Sequence, residues 1–151
     1  MTTLTRWDPF RELEEMSDDY ARVLVEYVFG RGVRTALMLT PGLDFFAMFF
    51  ALFKAGAVPV LIDPGIGKNA LKQCLEEAAP QAFIGITRAQ LARKIFGWAR
   101  KSCKHAVTAG PKFGLGGISL KKLRLLGERS NDEMLHQAEP NDMAAILFTS
   151  G

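Results

Sequence analysis

Short apolar runs recur along this 151-residue chain with helix-period segments between them, and that alternation constrains the fold most. Residues 35–39 (TALML), 57–62 (AVPVLI), 82–86 (AFIGI) and 143–148 (MAAILF) read as buried strands, and 105–108 as another. A strand that is apolar on both faces needs cover on both faces. Segments 43–54, 69–79 and 88–100 supply helices, the first stopped by Gly56 and the second by Pro80. The pattern predicts an α/β fold: a doubly wound, mostly parallel sheet built from right-handed βαβ units, with helices on both faces. Pro59 removes one ladder donor, which points to a bulge or an edge at that strand.

The front of the chain carries a third periodicity. Trp7, Phe10, Leu13, Met16, Tyr20, Val23, Leu24 and Tyr27 recur at spacings of three and four, one face of a helix. Asp8 suits its N-cap and Pro9 its first position, where a missing N–H costs nothing. Ser17 with Asp18 and Asp19 is a second start signal, which leaves open a break near Met16. No apolar stretch of signal-peptide type opens the chain, and acids follow at Asp8, Glu12, Glu14 and Glu15. The longest apolar run, 45–53, would reach roughly 14 Å as a helix, about half a bilayer core, and reads as a buried helix. Two cysteines, Cys74 and Cys103, suit reduced thiols of a cytoplasmic protein rather than a disulfide scaffold.

Motifs that could carry chemistry are mostly incomplete. Gly65-Ile66-Gly67-Lys68 resembles the end of a phosphate loop, but Ile62 stands where a glycine is needed and Asn69 where Ser or Thr is needed. A turn opening a helix is the better reading. Gly114-x-Gly116 lacks the third glycine of a dinucleotide fingerprint, since Ser119 occupies that place, and reads as a surface loop. His105 and His136 have no cysteine or carboxylate at metal-ligand spacing. Cys103 has Lys101 and Lys104 beside it, which could lower its pKa, but it has no partner base.

Charge is unevenly spread although the formal net charge is only +3. Between Ala78 and Gly127 there are ten Lys and Arg and no Asp or Glu. Within this stretch the 88–104 segment reads as a basic amphipathic helix with Leu91, Ile95, Trp98 and Ala99 on one face. Such a helix either packs on the sheet with a solvated basic back, or docks on an acidic protein or an anionic membrane surface. Nucleic acid ranks third, because the aromatic interleaving of a single-strand groove is missing.

The last apolar run leads into Thr149-Ser150-Gly151. A small, hydroxyl-bearing turn after a buried strand is where α/β proteins receive phosphates. Together with Leu52-Phe53-Lys54-Ala55-Gly56-Ala57-Val58-Pro59-Val60-Leu61-Ile62-Asp63-Pro64, this end resembles the AMP-forming acyl-adenylating enzymes, the acyl-CoA synthetase and ligase group. The segments from Leu71 to Leu75 and from Ala82 to Ile86 are most similar to the olefin β-lactone synthetase branch. The resemblance implies ATP and Mg²⁺, activation of a fatty or β-hydroxy fatty acid as its acyl-adenylate, and Thr149, Ser150 and Gly151 as nucleotide-loop residues. It assigns no catalytic residue and no metal ligand, because the remaining site residues of the family lie beyond Gly151.

Residues 1–16 differ in character. The segment from Thr5 to Leu13 (TRWDPFREL) resembles the start of bacterial small heat shock proteins. The expected organisation is a leader over 1–16 joined to a partial adenylating domain over 17–151, inactive as an isolated chain. The alternative is a non-enzymatic, chaperone-like interaction module that uses the apolar leader and the basic helix.

Overall fold

The computed structural model describes residues 8–27, 32–129 and 145–149. The elements are α1 (Pro9–Tyr27), β1 (Arg34–Met38), α2 (Leu43–Lys54), β2 (Val58–Ile62), α3 (Lys68–Ala78), β3 (Ala82–Ile86), α4 (Thr87–Phe96), β4 (His105–Ala109), β5 (Ile118–Ser119), α5 (Leu120–Arg129) and β6 (Ile146–Phe148). The strands form one sheet in the order β5-β4-β3-β1-β2-β6, and every described pairing is parallel. This is the expected doubly wound α/β architecture.

Strand residues alternate between two cores, as a pleat requires. Leu37, Leu39, Ala82, Ile84 and Val107 face α1, α2 and α5. Ala36 and Phe83 face the other way, onto Leu71 and Leu75 of α3 and onto Trp98 and Ala99. Helices therefore cover both faces, which is why the strands read as continuous apolar runs. Pro59 lies in an interior strand, opposite Thr35 of β1. The Val58 N–H donates to Val33 on the β1 side, and the Asp63 N–H donates to Phe148 on the β6 side. By alternation the Pro59 nitrogen turns toward β6, one residue before the described β2–β6 pairing begins at Val60. Among the described residues, the proline's missing donor has no strand pairing opposite it.

One open point is settled and one expectation needs correction. No break occurs near Met16: α1 runs through Ser17, whose hydroxyl donates back to the Glu14 carbonyl at 2.9 Å. A buried serine bonded within its own helix does not act as a cap. The start at Asp8 holds, with its Oδ1 accepting from the Phe10 and Arg11 N–H groups. The 45–53 run is a helix but is not wholly buried. Ala47, Met48, Ala51 and Leu52 pack inward while Phe46 and Phe50 stay 51% and 42% exposed. Among the described residues no helix is long and apolar enough to cross a membrane.

The elements after Gly117, β5 and α5, are not among those the sequence pattern predicted. Leu120 and Leu123 are buried and Leu126 packs against the same core. That three-residue spacing was visible, but the neighbouring lysines masked it. At the α1–α5 crossing Gly127 lies directly against the Asp19 carbonyl.

Polar contacts tie α1 to α2. Lys54 Nζ reaches Ser17 Oγ at 2.7 Å and Asp18 Oδ1 at 2.6 Å, and the buried Tyr20 hydroxyl donates to Asp44 Oδ1 at 2.9 Å. Burial, with the Asp44 carboxylate adding to it, raises the Tyr20 pKa above the ordinary value of about 10. The native chain thus keeps a proton that the unfolded chain releases above about pH 10. Stability from this group is complete below that pH and falls as pH rises beyond it. Urea unfolding at pH 9 and pH 11 should show a loss in the native sequence that is smaller in Tyr20→Phe; equal losses would exclude Tyr20 as the titrating group.

Candidate functional site

In a parallel sheet all strands end on one rim, and the helices that follow them begin there. Partial positive charge at the helix N-termini gathers on that rim. Here α2 starts after Gly42, α3 after Gly67 and α4 directly after Ile86. The connections from β1 and β3 leave in opposite directions, via α2 and via α4, so the strand order reverses between them. Ligands of open α/β sheets bind along this carboxyl rim.

Within the rim, β2 and β6 bring distant segments together. Val60, Leu61 and Ile62 pair with Ile146, Leu147 and Phe148. The Asp63 N–H continues the ladder to the Phe148 carbonyl at 3.1 Å. Thr149 therefore leaves the sheet beside the Asp63 turn, and it is exposed. The Asp63 carboxylate accepts from the Gly65 N–H at 2.8 Å, and its carbonyl accepts from the Ile66 N–H at 3.3 Å. This closes a short 3₁₀ turn, Pro64–Ile66, which passes through Gly67 at φ +87° into α3. Glycine is favoured at that angle because a Cβ would be strained there.

Of the sequence-expected nucleotide-loop residues, Thr149 stands at this rim, and Ser150 and Gly151 lie outside the described residues. The Gly65–Lys68 segment is the turn opening a helix that its residues suggested. Gly114 and Gly116, both at positive φ, belong to the loop between β4 and β5, where Lys112 Nζ donates to the Gly117 carbonyl. Cys103 is not an activated thiol. Burial raises its pKa, outweighing the nearby Arg93, and its Sγ donates to the His105 carbonyl. His105 is exposed at the start of β4, on the opposite rim, and His136 lies outside the described residues.

Sequence reasoning did not find the neighbourhood of Asp63 and Thr149. Each was visible as a turn, but only the β2–β6 pairing makes them adjacent. The rim can take a phosphate-bearing ligand, since it combines an exposed hydroxyl with convergent helix N-termini. No group of three or more His, Cys, Asp or Glu that could hold a metal ion occurs among the described residues.

The model of the family described as "AMP-binding enzyme" matches residues 4–151. Olefin beta-lactone synthetases of Stenotrophomonas maltophilia (strain K279a) and Xanthomonas campestris pv. campestris are each 51% identical over 142 residues, which is 94% of this chain and 25% of theirs. The chain thus spans about a quarter of the length of these curated relatives. An anthranilate CoA ligase in complex with anthranoyl-AMP superposes with a TM-score of 0.79 at 17% identity, over 94% of this chain and 27% of that one. A long-chain-fatty-acid-CoA ligase of Archaeoglobus fulgidus gives 0.79 at 19% identity, over 93% and 27%. At such identities the two structures speak for the fold alone.

Proposed function

Because the chain belongs to the AMP-binding enzyme family, we propose that its β2–β6 rim forms part of the nucleotide site of an AMP-forming acid ligase. The observation that carries this is the seating of Thr149 beside the Asp63 turn, at the carboxyl ends of paired parallel strands. In the reaction, a carboxylate oxygen attacks the α-phosphorus of ATP and pyrophosphate leaves with the electron pair of the broken P–O bond. The product is an acyl-adenylate. MgATP is a substrate here, and its metal travels with the nucleotide's own phosphates.

This chain's part is to bind and position. The Thr149 hydroxyl donates to a phosphate oxygen, Ser150 and Gly151, next in the sequence, are the further nucleotide-contacting candidates, and the N-terminus of α3 supports the negative charge. A fatty or β-hydroxy fatty acid is the substrate that best suits the 51% identity to two olefin beta-lactone synthetases. Positioning and charge neutralisation dominate such chemistry, and the chain corresponds to only 25% of those relatives, so the isolated polypeptide does not turn over.

A thermal melt with and without MgATP, alongside acid-dependent ATP–pyrophosphate exchange, tests both parts. A ligand selective for the native state at 100 times its Kd stabilises by about 2.7 kcal/mol. MgATP is expected to raise the Tm of the chain, Thr149→Val to reduce that rise, and exchange to be absent. No rise would remove the rim from nucleotide binding, and sustained exchange would overturn the claim of inactivity.

A further inference from the structure

The sequence placed Leu91, Ile95, Trp98 and Ala99 on one face of an 88–104 helix, and the structure divides them. Trp98 and Ala99 are buried, only 5% and 3% exposed, whereas Leu91 and Ile95 stand 47% and 69% exposed. α4 ends at Phe96 with Gly97 left-handed at φ +67°, so Trp98 and Ala99 lie beyond the helix, and Gln90 sets how the helix itself is turned. Gln90 is 1% exposed, and its Nε2 donates to the Phe83 and Val107 carbonyls at 3.0 Å each. With Gln90 anchored to β3 and β4, and Ala89 and Ala92 on the sheet side, α4 is rotated so that Leu91 and Ile95 face out. Phe96, 42% exposed, adjoins them with Lys68 Nζ 5.3 Å from its ring centroid.

Cations frame this apolar ridge. Lys94, Arg100 and Lys101 border a cleft of about 660 Å³ with Ile95, Phe96 and Lys72 of α3. Glu76 is the one acid on its lining. The cleft opens beside Ala79 and Ser102, toward the rim where β3 and β4 begin, away from Thr149. Exposed aliphatic and aromatic side chains rimmed by lysine and arginine complement a surface that is apolar inside and anionic outside. A purely acidic protein surface would use the cations and leave Leu91 and Ile95 in water.

We propose that the outward face of α4 docks on an anionic phospholipid membrane, with Leu91, Ile95 and Phe96 entering the headgroup boundary and Lys94, Arg100 and Lys101 pairing with lipid phosphates. Shallow insertion of this kind gains from apolar burial and from anionic lipid together. It also leaves the carboxyl rim clear of the bilayer.

The test is flotation of the full chain with vesicles of phosphatidylcholine alone and with 30 mol% phosphatidylglycerol, at about 0.1 M salt, where the Debye length is about 10 Å. Binding to the anionic vesicles should exceed binding to the neutral ones at least tenfold. Leu91→Ser/Ile95→Ser and Lys94→Gln/Lys101→Gln should each reduce it about tenfold, with circular-dichroism melts unchanged because these side chains are exposed. No binding to anionic vesicles would overturn the proposal. So would binding that the serine pair leaves intact and that polyglutamate competes away, the signature of an acidic protein partner.

Discussion

Gly127→Ala is expected to lower the stability of the chain by about 3 kcal/mol, at the upper end of what overpacking usually costs. A Cβ on Gly127 would overlap the backbone carbonyl of Asp19, not the tip of a movable side chain. Relief requires α1 and α5 to part, and both helices bury their inner faces in one core: Met16, Tyr20, Val23 and Leu24 from α1, Leu120 and Leu123 from α5. Domains are stable by only about 5–15 kcal/mol in total. The loss should appear as a lower urea midpoint with an unchanged m-value. A midpoint within error of the native one would show that the two helices approach less closely than described. As a control, Gly114→Ala, whose Cβ would meet nothing within 4 Å, should cost less. Its cost is confined to the strain of φ +74°.

Phe83→Ala should cost about 3–5 kcal/mol, the usual range for deleting a buried aromatic ring. Phe83 is fully buried at the centre of the second core, facing Leu71, Leu75 and Trp98. The Arg93 guanidinium also lies 5.5 Å from its ring centroid. Gly85, whose added Cβ would meet the Phe83 ring edge at 3.0 Å, helps fix the side chain's position. The cavity would open between β3 and the α3 layer, leaving the α1–α2 side untouched. Equilibrium denaturation should therefore show Phe83→Ala and Gly127→Ala adding, since they disturb opposite faces of the sheet. A double variant well short of the sum would argue that the two cores are coupled through the strands.

Interior strand β3 was legible because burial on both faces leaves no polar residue to break its apolar run, Ala82–Ile86, whereas β6 is half-exposed, with Leu147 64% exposed. The helix start at Asp8 was legible because its cap chemistry is local. Orientation was harder to read. Leu91 and Ile95 look like core at helical spacing, and only the bonds from Gln90 to carbonyls of two different strands turn them to solvent. The same limit applies to Ser17, whose choice between capping and bonding backward depends on the packing around α1. The phosphate-loop resemblance pointed to Thr149 but could not show what lies beside it. That neighbour comes from a pairing between segments far apart in the chain.

That pairing also bears on the order in which the molecule assembles. The pairs β1–β2, β3–β4 and β4–β5 each join strands close in sequence, and β1–β3 spans only one intervening βα unit more. Joining Val60 to Ile146 closes a loop that contains most of the other elements, for a contact of only three residue pairs. Loop-closure entropy rises with that length, and distant contacts are rewarded late. A five-stranded sheet can therefore be complete before β6 arrives. The strand that leads into Thr149 is then the last to join the sheet.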